Sequence, residues 1–224
     1  MTTLYKLTSA QGQTRGQTQW GPGIEHTASG EGPLCGPGHI HAYTDPLLAV
    51  LLNPIHARFT APLLWEADGD VAQTDSGLKV GCTRLRTLRK IPVPEISLEQ
   101  RIEIAIRCAL AVYPEPNFAA WAEDWLSGQD RSAEAAEARA AAAGPSARAA
   151  AARAAARAAA AGGPSARAAA LAAAAGPSAR AAEVAAWAAE EAAARAAALE
   201  AAEIESTFDL VAIVHQVVDR ASVT

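Results

Sequence analysis

Residues 34–54 read LCGPGHIHAYTDPLLAVLLNP, and this stretch sets the expectations for the fold. It opens with a predicted turn at Gly36–Gly38, because glycine tolerates turn conformations and proline fixes φ. The next five residues alternate in character, as a short strand does. That alternation places His39, His41 and Tyr43 on one face of the predicted strand.

An apolar helix is predicted directly after this strand. Thr44 or Asp45 can cap its N-terminus, and Pro46 suits the first helical position. Residues 47–52 are all apolar, which predicts a buried helix. Asn53–Pro54 predict its end, because the residue before a proline disfavours helical backbone.

The face shared by His39, His41 and Tyr43 is a candidate ligand-binding face. Two histidines at this spacing can also hold a metal ion, with Cys35 or His56 as a third ligand. The alternative is that they are hydrogen-bonded residues beside a tight turn. No CxxC or HExxH spacing accompanies them, so we predict no metal and no cofactor.

Other segments predict a small mixed sheet around this unit. Leu4–Thr8 alternates between apolar and polar residues and predicts a first strand. Pro62–Ala67 predicts another strand, followed by a turn at Gly69–Asp70. Two more strands are predicted at Lys79–Thr83 and Leu85–Ile91.

Two helices and a change of composition follow the predicted sheet. Ser97 and Gln100 form a predicted capping box at the start of the first helix, and Gly128 predicts the end of the second. Beyond it the sequence is dominated by alanine. We therefore predict an α+β protein, with a small mixed-sheet domain over residues 1–127 and an alanine-rich helical region over residues 128–224.

The alanine-rich region contains the sequence GPSARAA three times. Each copy predicts the end of one helix and a serine cap on the next. The arginine after each serine opposes the helix dipole, so serine, free backbone N–H groups and guanidinium together form a candidate anion site. The alternative is a duplicated repeat whose arginines are solvated. The candidate ligand-binding residues are Ser146, Arg148, Ser165, Arg167, Ser178 and Arg180.

The C-terminal segment 208–218 is strongly apolar. A lone helix cannot keep such a surface in water. The segment is therefore expected either to fold back on the N-terminal domain or to form an interface between chains, and we predict a homo-oligomer.

Composition limits the classes of function. A net charge of −5 provides no general nucleic-acid-binding footprint. Cys35, Cys82 and Cys108 have no paired spacing, which predicts reduced thiols and a cytoplasmic protein. The first residues lack the apolar core of a signal peptide, and arginines interrupt the alanine tracts, so we expect no signal peptide and no membrane span.

Part of this pattern resembles an uncharacterised domain family of phages and bacteria. Members carry an LCxxGxHxxxDP-like segment near the N-terminus, often followed by repetitive helical sequence. The likeness covers roughly residues 1–113 and implies a phage setting without a known activity. It is carried by Leu34-Cys35, Gly38, His41-Ala42, Asp45-Pro46 and Trp65-Glu66-Ala67.

A remoter likeness, in the order of elements, is to ADP-ribosyltransferase-like folds. Those also open with a strand such as Leu4–Leu7, followed by a glycine-histidine strand and a helix. This chain has no matching catalytic glutamate and no matching arginine or histidine on its first strand, so we favour a protein without enzymatic activity.

Together these patterns predict a non-catalytic, oligomeric binding protein, encoded by a phage and acting in the host cytoplasm. Its expected ligand is an anionic, nucleotide-like or other phosphate-bearing host molecule. Two alternatives stay open: a structural scaffold assembled through the alanine-rich helices, and an ADP-ribosyltransferase-like enzyme.

Overall fold

The computed structural model describes residues 2–57, 59–74, 79–112, 115–142 and 209–221. They fall into two compact units, the first within Met1–Ile96 and Asp209–Thr224 and the second within Ser97–Phe208. Residues 97–127 therefore group with the second unit, whereas the sequence assigned them to the first. That residues 1–127 form a domain of their own stays a prediction.

The first unit is built on five strands, and all of their pairings are antiparallel. The predicted mixed sheet is therefore wrong. The longest two strands are consecutive in the chain, and residues 75–79 between them are too few for the crossover that a parallel pair needs. The strands are β1 (Leu4–Thr8), β2 (Glu25–Thr27), β3 (Ile40–Ala42), β4 (Leu63–Thr74) and β5 (Val80–Ile91).

The sheet curls until its two ends meet. β4 pairs with β1 on one side and with β5 on the other, and both β2 and β3 pair with β5. Tyr5 and Tyr43 then exchange two backbone hydrogen bonds, of 2.8 and 2.9 Å, which join β1 to the end of β3. Strands β1, β4, β5 and β3 thus form a closed circuit.

The interior of this circuit holds an apolar cluster. Trp20, from the loop after β1, is almost completely buried and closes one side of it. Burial of this apolar surface is the main source of stability for a sheet of this size. The cluster consists of Leu4, Trp20, Ala42, Ala67, Val80, Cys82 and Leu85.

Helix α1 spans Pro46–His56 and begins as predicted. The Asp45 carboxylate accepts hydrogen bonds from the backbone N–H groups of Leu47 and Leu48, at 2.8 and 3.3 Å. These bonds satisfy two of the donors that every helix leaves free at its N-terminus. Since α1 packs against β1, this cap fixes the helix at the end of β3.

The predicted end of α1 at Asn53–Pro54 is wrong, because the helix continues to His56. Asn53 exchanges two side-chain hydrogen bonds with the backbone of Phe59, at 2.9 and 3.0 Å. These contacts outweigh the local preference of a residue before proline. The additional residues bring His56 beside Tyr43.

The predicted turn at Gly69–Asp70 is also wrong, because β4 passes through both residues. A Cβ atom at Gly69 would lie 2.4 Å from the backbone oxygen of Arg84 on β5. Glycine is used here because the two strands approach closely, which is a known role for glycine inside strands.

The C-terminal helix α5 spans Leu210–Ala221 and returns to the first unit, where it packs against α1. Val214 and Val217 are buried, at 0% and 2% exposure. Of the two outcomes predicted for the apolar tail, residues 209–221 therefore adopt the one that folds back. The homo-oligomer stays a prediction.

A charged contact links α5 to the cap of α1. Nε2 of His215 lies 2.8 Å from Oδ2 of Asp45, and Nδ1 lies 3.6 Å from the Asp219 carboxylate on the same helix. The hydrogen bond to Asp45 raises the pKa of His215, and the nearby carboxylate charges raise it further. The contact therefore stabilises the fold below the ordinary histidine pKa, and this stabilisation is lost as pH rises through the raised value.

We expect α5 to loosen as pH rises from 6 to 8. Amide hydrogen exchange of residues 210–221 should accelerate over this range after correction for the intrinsic rate. Because His215 is partly exposed, its contribution is of the order of 0.5 kcal/mol. His215→Gln keeps a hydrogen-bonding side chain but cannot titrate, so it should remove the pH dependence. An equal pH dependence in both proteins would contradict this assignment.

The second unit contains helices α2 (Leu98–Val112), α3 (Pro116–Ser127) and α4 (Ala133–Ala142). The predicted capping box is confirmed, with Ser97 and Gln100 joined by two bonds of 2.7 and 3.1 Å. Gly128 ends α3 as predicted, with φ of +82°. None of the described helices has the length and apolar content of a bilayer-spanning segment. The helical core includes Ile102, Ile106, Phe118, Trp121, Trp125 and Ala136.

Candidate functional site

The turn before β3 is held down by close backbone contacts. The N–H of Gly30 donates to the carbonyl of Gly38 at 2.8 Å, and a Cβ atom at Gly38 would lie 1.9 Å from the backbone oxygen of Glu31. Gly81 on β5 is equally crowded, since a Cβ there would lie 2.4 Å from Leu34 and 3.1 Å from His39. Close approaches at two glycines thus place His39 between the turn and the sheet.

His39 is buried without polar partners. Its side chain is only 6% exposed, and neither ring nitrogen has a hydrogen-bond partner among the described residues. Buried polar atoms are nearly always hydrogen-bonded, because burying one without a partner costs about 1–3 kcal/mol. An orphaned imidazole of this kind points to a ligand.

His41 and Lys6 meet at the seam between β1 and β3. The Nε2 atom of His41 donates to the Leu34 carbonyl at 2.5 Å, since a carbonyl only accepts. Nζ of Lys6 donates to the His41 carbonyl at 2.6 Å. The ammonium group also lies 5.0 Å from the centre of the Trp20 ring, a cation–π distance.

Lys79, at the start of β5, is the second buried lysine. It is 8% exposed, as is Lys6, although lysine is rarely buried without a charged partner. Its Nζ atom lies 3.1 Å from Sγ of Cys35, on the turn before β3. No carboxylate forms an ion pair with Lys6 or Lys79 in the described part of the chain.

We name the four groups Lys6, His39, His41 and Lys79 the basic cluster. The Lys6 ammonium lies over the Trp20 ring, on the inner face of the sheet, whereas His41 alternates with the inward Ala42 and points to the opposite face. Burial lowers the pKa of Lys6 from 10.5 to about 8. Burial also lowers the pKa of His41, and the charges of Lys79, Lys6 and His39 lower it further, against the opposing effect of the Leu34 hydrogen bond. The neighbouring cations therefore disfavour the charged form of His41, and an anion beside His41 would reverse that effect.

Two arginines elsewhere on the sheet have carboxylate partners. Arg84 on β5 forms ion pairs with Glu25, Asp68 and Asp70, at 3.2, 2.9 and 2.9 Å. Arg89 pairs with a carboxylate of the neighbouring strand. Within the described residues these arginines are neutralised, so the basic cluster differs from them in lacking a counter-charge.

Tyr43 points to the same face as the two histidines but is already engaged. Burial raises its pKa, so the phenol stays protonated and can donate to Nδ1 of His56 at 2.9 Å. The two rings also stack, with centroids 6.0 Å apart. Tyr43 therefore joins the end of β3 to His56 of α1, while His39 and His41 belong to the basic cluster itself.

The other predicted site residues cannot be placed in this way. All three serine–arginine pairs of the GPSARAA repeats lie outside the described residues, and the anion site that they suggest stays a prediction. In the described ranges, no three histidine, cysteine, aspartate or glutamate side chains come together as a metal-binding group. The serine–arginine pairs outside the described residues are Ser146 and Arg148, Ser165 and Arg167, and Ser178 and Arg180.

Sequence reasoning missed both lysines of the basic cluster. Lys6 occupies an inward position on β1, two residues after the buried Leu4, and a charged residue at such a position is a recognisable anomaly. Lys79 carries no comparable signal, because its role depends on a contact with Cys35 across 44 residues of chain.

Comparisons of the chain with protein-family models, with curated proteins and with solved structures find no match.

Proposed function

We propose that this protein binds a small phosphate-bearing anion at the basic cluster and performs no chemistry on it. The observation that carries the proposal is His39, which is buried with two orphaned ring nitrogens. Lys6 and Lys79, equally buried and without carboxylate partners in the described chain, extend the argument from one side chain to a group.

A bound anion accounts for the composition of the cluster. Isolated buried charges are strongly unfavourable, and removing one partner from a buried charged pair typically costs 3–5 kcal/mol. A phosphate group offers several acceptor oxygens to ammonium and imidazolium donors, and such charge-assisted bonds are about twice as strong as neutral ones. The ligand therefore supplies the counter-charge that no described carboxylate provides.

The sequence adds the biological setting of the proposal. The likeness to phage and bacterial domains supports a role in the cytoplasm of a host cell, where nucleotides are abundant phosphate-bearing molecules. A protein that holds such a molecule without converting it would act by sequestering it. Oligomerisation through the alanine-rich helices belongs to the same proposal.

Calorimetric titration with inorganic phosphate and with mono-, di- and cyclic nucleotides tests the proposal. We expect Lys79→Met to weaken binding about tenfold or more, because a charge-assisted bond contributes about 1.5–3 kcal/mol. Lys90→Met is the matched control, since Lys90 is an exposed lysine on β5 and should have no effect. Binding by wild type should also weaken as pH rises through about 8, where Lys6 loses its charge.

A second variant separates a ligand site from an ordinary core histidine. His39→Phe keeps an aromatic ring and removes both orphaned nitrogens, so the free protein should be at least as stable while phosphate affinity falls. If no anion binds to the wild type, or if binding is equal in Lys79→Met and Lys90→Met, the proposal is wrong and the scaffold alternative stands.

A further inference from the structure

Cys35 occupies the outer side of the basic cluster. Its side chain is exposed, whereas the ammonium of Lys79, which it contacts at 3.1 Å, is buried. The sulfur atom is the partner that the described structure gives to that ammonium. A molecule that reaches Lys79 from solvent along this side must therefore pass or displace Cys35.

We propose that Cys35 is a modification site that gates the basic cluster, and that covalent attachment of an α,β-unsaturated carbonyl compound at its thiol blocks anion binding. The inference rests on the proposed function. One buried group independent of the cysteine points to a ligand here, namely His39, whose two ring nitrogens have no partner among the described residues. A bulky adduct on Cys35 would lie where an anion has to approach Lys79.

The chemistry needs no oxidant or metal. The sulfur attacks the β-carbon and forms an S–C bond, while the π electrons of the C=C bond move towards the carbonyl group. The α-carbon then takes up a proton, and the thiol has lost one, so that S–H adds across the double bond overall. Lys79 can donate a hydrogen bond to the sulfur before the step and to the adduct afterwards.

The other two thiols are poor competitors for this reaction. Cys82 is completely buried, and burial raises its pKa to about 11. Burial likewise raises the pKa of Cys108 to about 12. Since the thiolate is the nucleophile, both react slowly at neutral pH, and an electrophile added to the native full-length chain should modify Cys35 first.

The experiment treats the full-length protein with one equivalent of N-ethylmaleimide and locates the adduct by peptide mass spectrometry. We expect modification at Cys35 and a loss of at least tenfold in affinity for inorganic phosphate. Cys35→Ser keeps an acceptor for Lys79 but cannot be alkylated in this way. Its affinity for phosphate should be within about threefold of that of wild type, and treatment with N-ethylmaleimide should not change that affinity. Phosphate should in turn protect Cys35 from modification in the wild type.

The outcomes distinguish this inference from the function on which it rests. Phosphate binding that is unchanged by a complete adduct on Cys35, or preferential modification of Cys82 or Cys108, would overturn the gate while leaving the anion site in place. A wild-type protein that binds neither phosphate nor nucleotides would overturn both.

Discussion

Replacing Lys6 by methionine is expected to remove about 3 kcal/mol of pH dependence from the free energy of unfolding between pH 8 and 10.5. The pKa of Lys6 is about 8 in the folded chain, against 10.5 for an unperturbed lysine. One pKa unit corresponds to about 1.36 kcal/mol, so the difference sets the size of the effect. Between these two values the unfolded state holds one more proton than the folded state.

The sign follows from that extra proton. Stability rises with pH wherever the unfolded state binds more protons, so wild type should gain stability relative to Lys6→Met as pH rises from 8 to 10.5. The variant also loses the hydrogen bond to His41, but that cost does not depend on pH. The titration of Tyr43 occurs in both proteins and cancels in the comparison.

Chemical denaturation at several pH values between 7 and 10.5 measures the difference. Lys90→Met, which removes an exposed lysine from β5, should follow the wild-type curve. Parallel curves for wild type and Lys6→Met would show that Lys6 keeps its ordinary pKa in the folded protein. The same result would weaken the case for an anion site, because the desolvation of Lys6 is part of what the anion is proposed to offset.

Lys6 also shows how a binding site can reduce stability. At neutral pH the fold carries a buried ammonium whose partners are a backbone carbonyl and the face of Trp20. A well-packed apolar residue at this inward position would avoid the desolvation of a charge. A bound anion would recover that free energy, so we expect phosphate to raise the melting temperature, by an amount that grows with the logarithm of the ratio of phosphate concentration to Kd.

The local parts of this fold were predictable because their determinants lie within a few residues. The caps of α1 and α2 depend on side chains that reach backbone groups two or three residues away, at Asp45 and at Ser97 with Gln100. The end of α3 was predictable too, because the left-handed conformation that ends it is one that glycine, here Gly128, adopts readily. Period-2 alternation was enough to place β1.

Two of the wrong predictions share a different cause. Gly69 is a residue typical of turns, yet here it is required by the backbone of Arg84 on the neighbouring strand. A proline at position 54 favours a helix end at Asn53, yet the Asn53 side chain is held by the backbone of Phe59 and the helix continues. In both cases a tertiary contact outweighed a correct local preference, and a single sequence contains no record of such contacts.

The candidate site was only half visible for the same reason. His39 and His41 lie two residues apart, just before and within β3, but the lysines of the basic cluster come from β1 and from the residue before β5. Lys6 reaches His41 across 35 residues and Lys79 reaches Cys35 across 44. The return of α5 to the first unit was likewise one of two open outcomes, because the choice depends on which apolar surface covers Val214.

The second large effect is expected for Gly38→Ala, which should lower the free energy of unfolding by about 3 kcal/mol or more. An added Cβ atom would lie 1.9 Å from the backbone oxygen of Glu31 and 2.9 Å from its carbonyl carbon. Neither atom can move aside as a side chain would, so the turn must shift as a whole. Overpacking of this kind costs 1–3 kcal/mol and occasionally more.

Displacing this turn should also disrupt the basic cluster, since His39 is the next residue and the Leu34 carbonyl that binds His41 lies in the same turn. Gly32→Ala is the matched control, because Gly32 has φ of +82° and open space around its Cβ position. It should cost only the roughly 1 kcal/mol of a left-handed conformation and leave phosphate affinity unchanged. Denaturation and phosphate titration of both variants test whether the turn positions His39. If Gly38→Ala is as stable as Gly32→Ala, or if it binds phosphate with the affinity of wild type, the turn does not position His39.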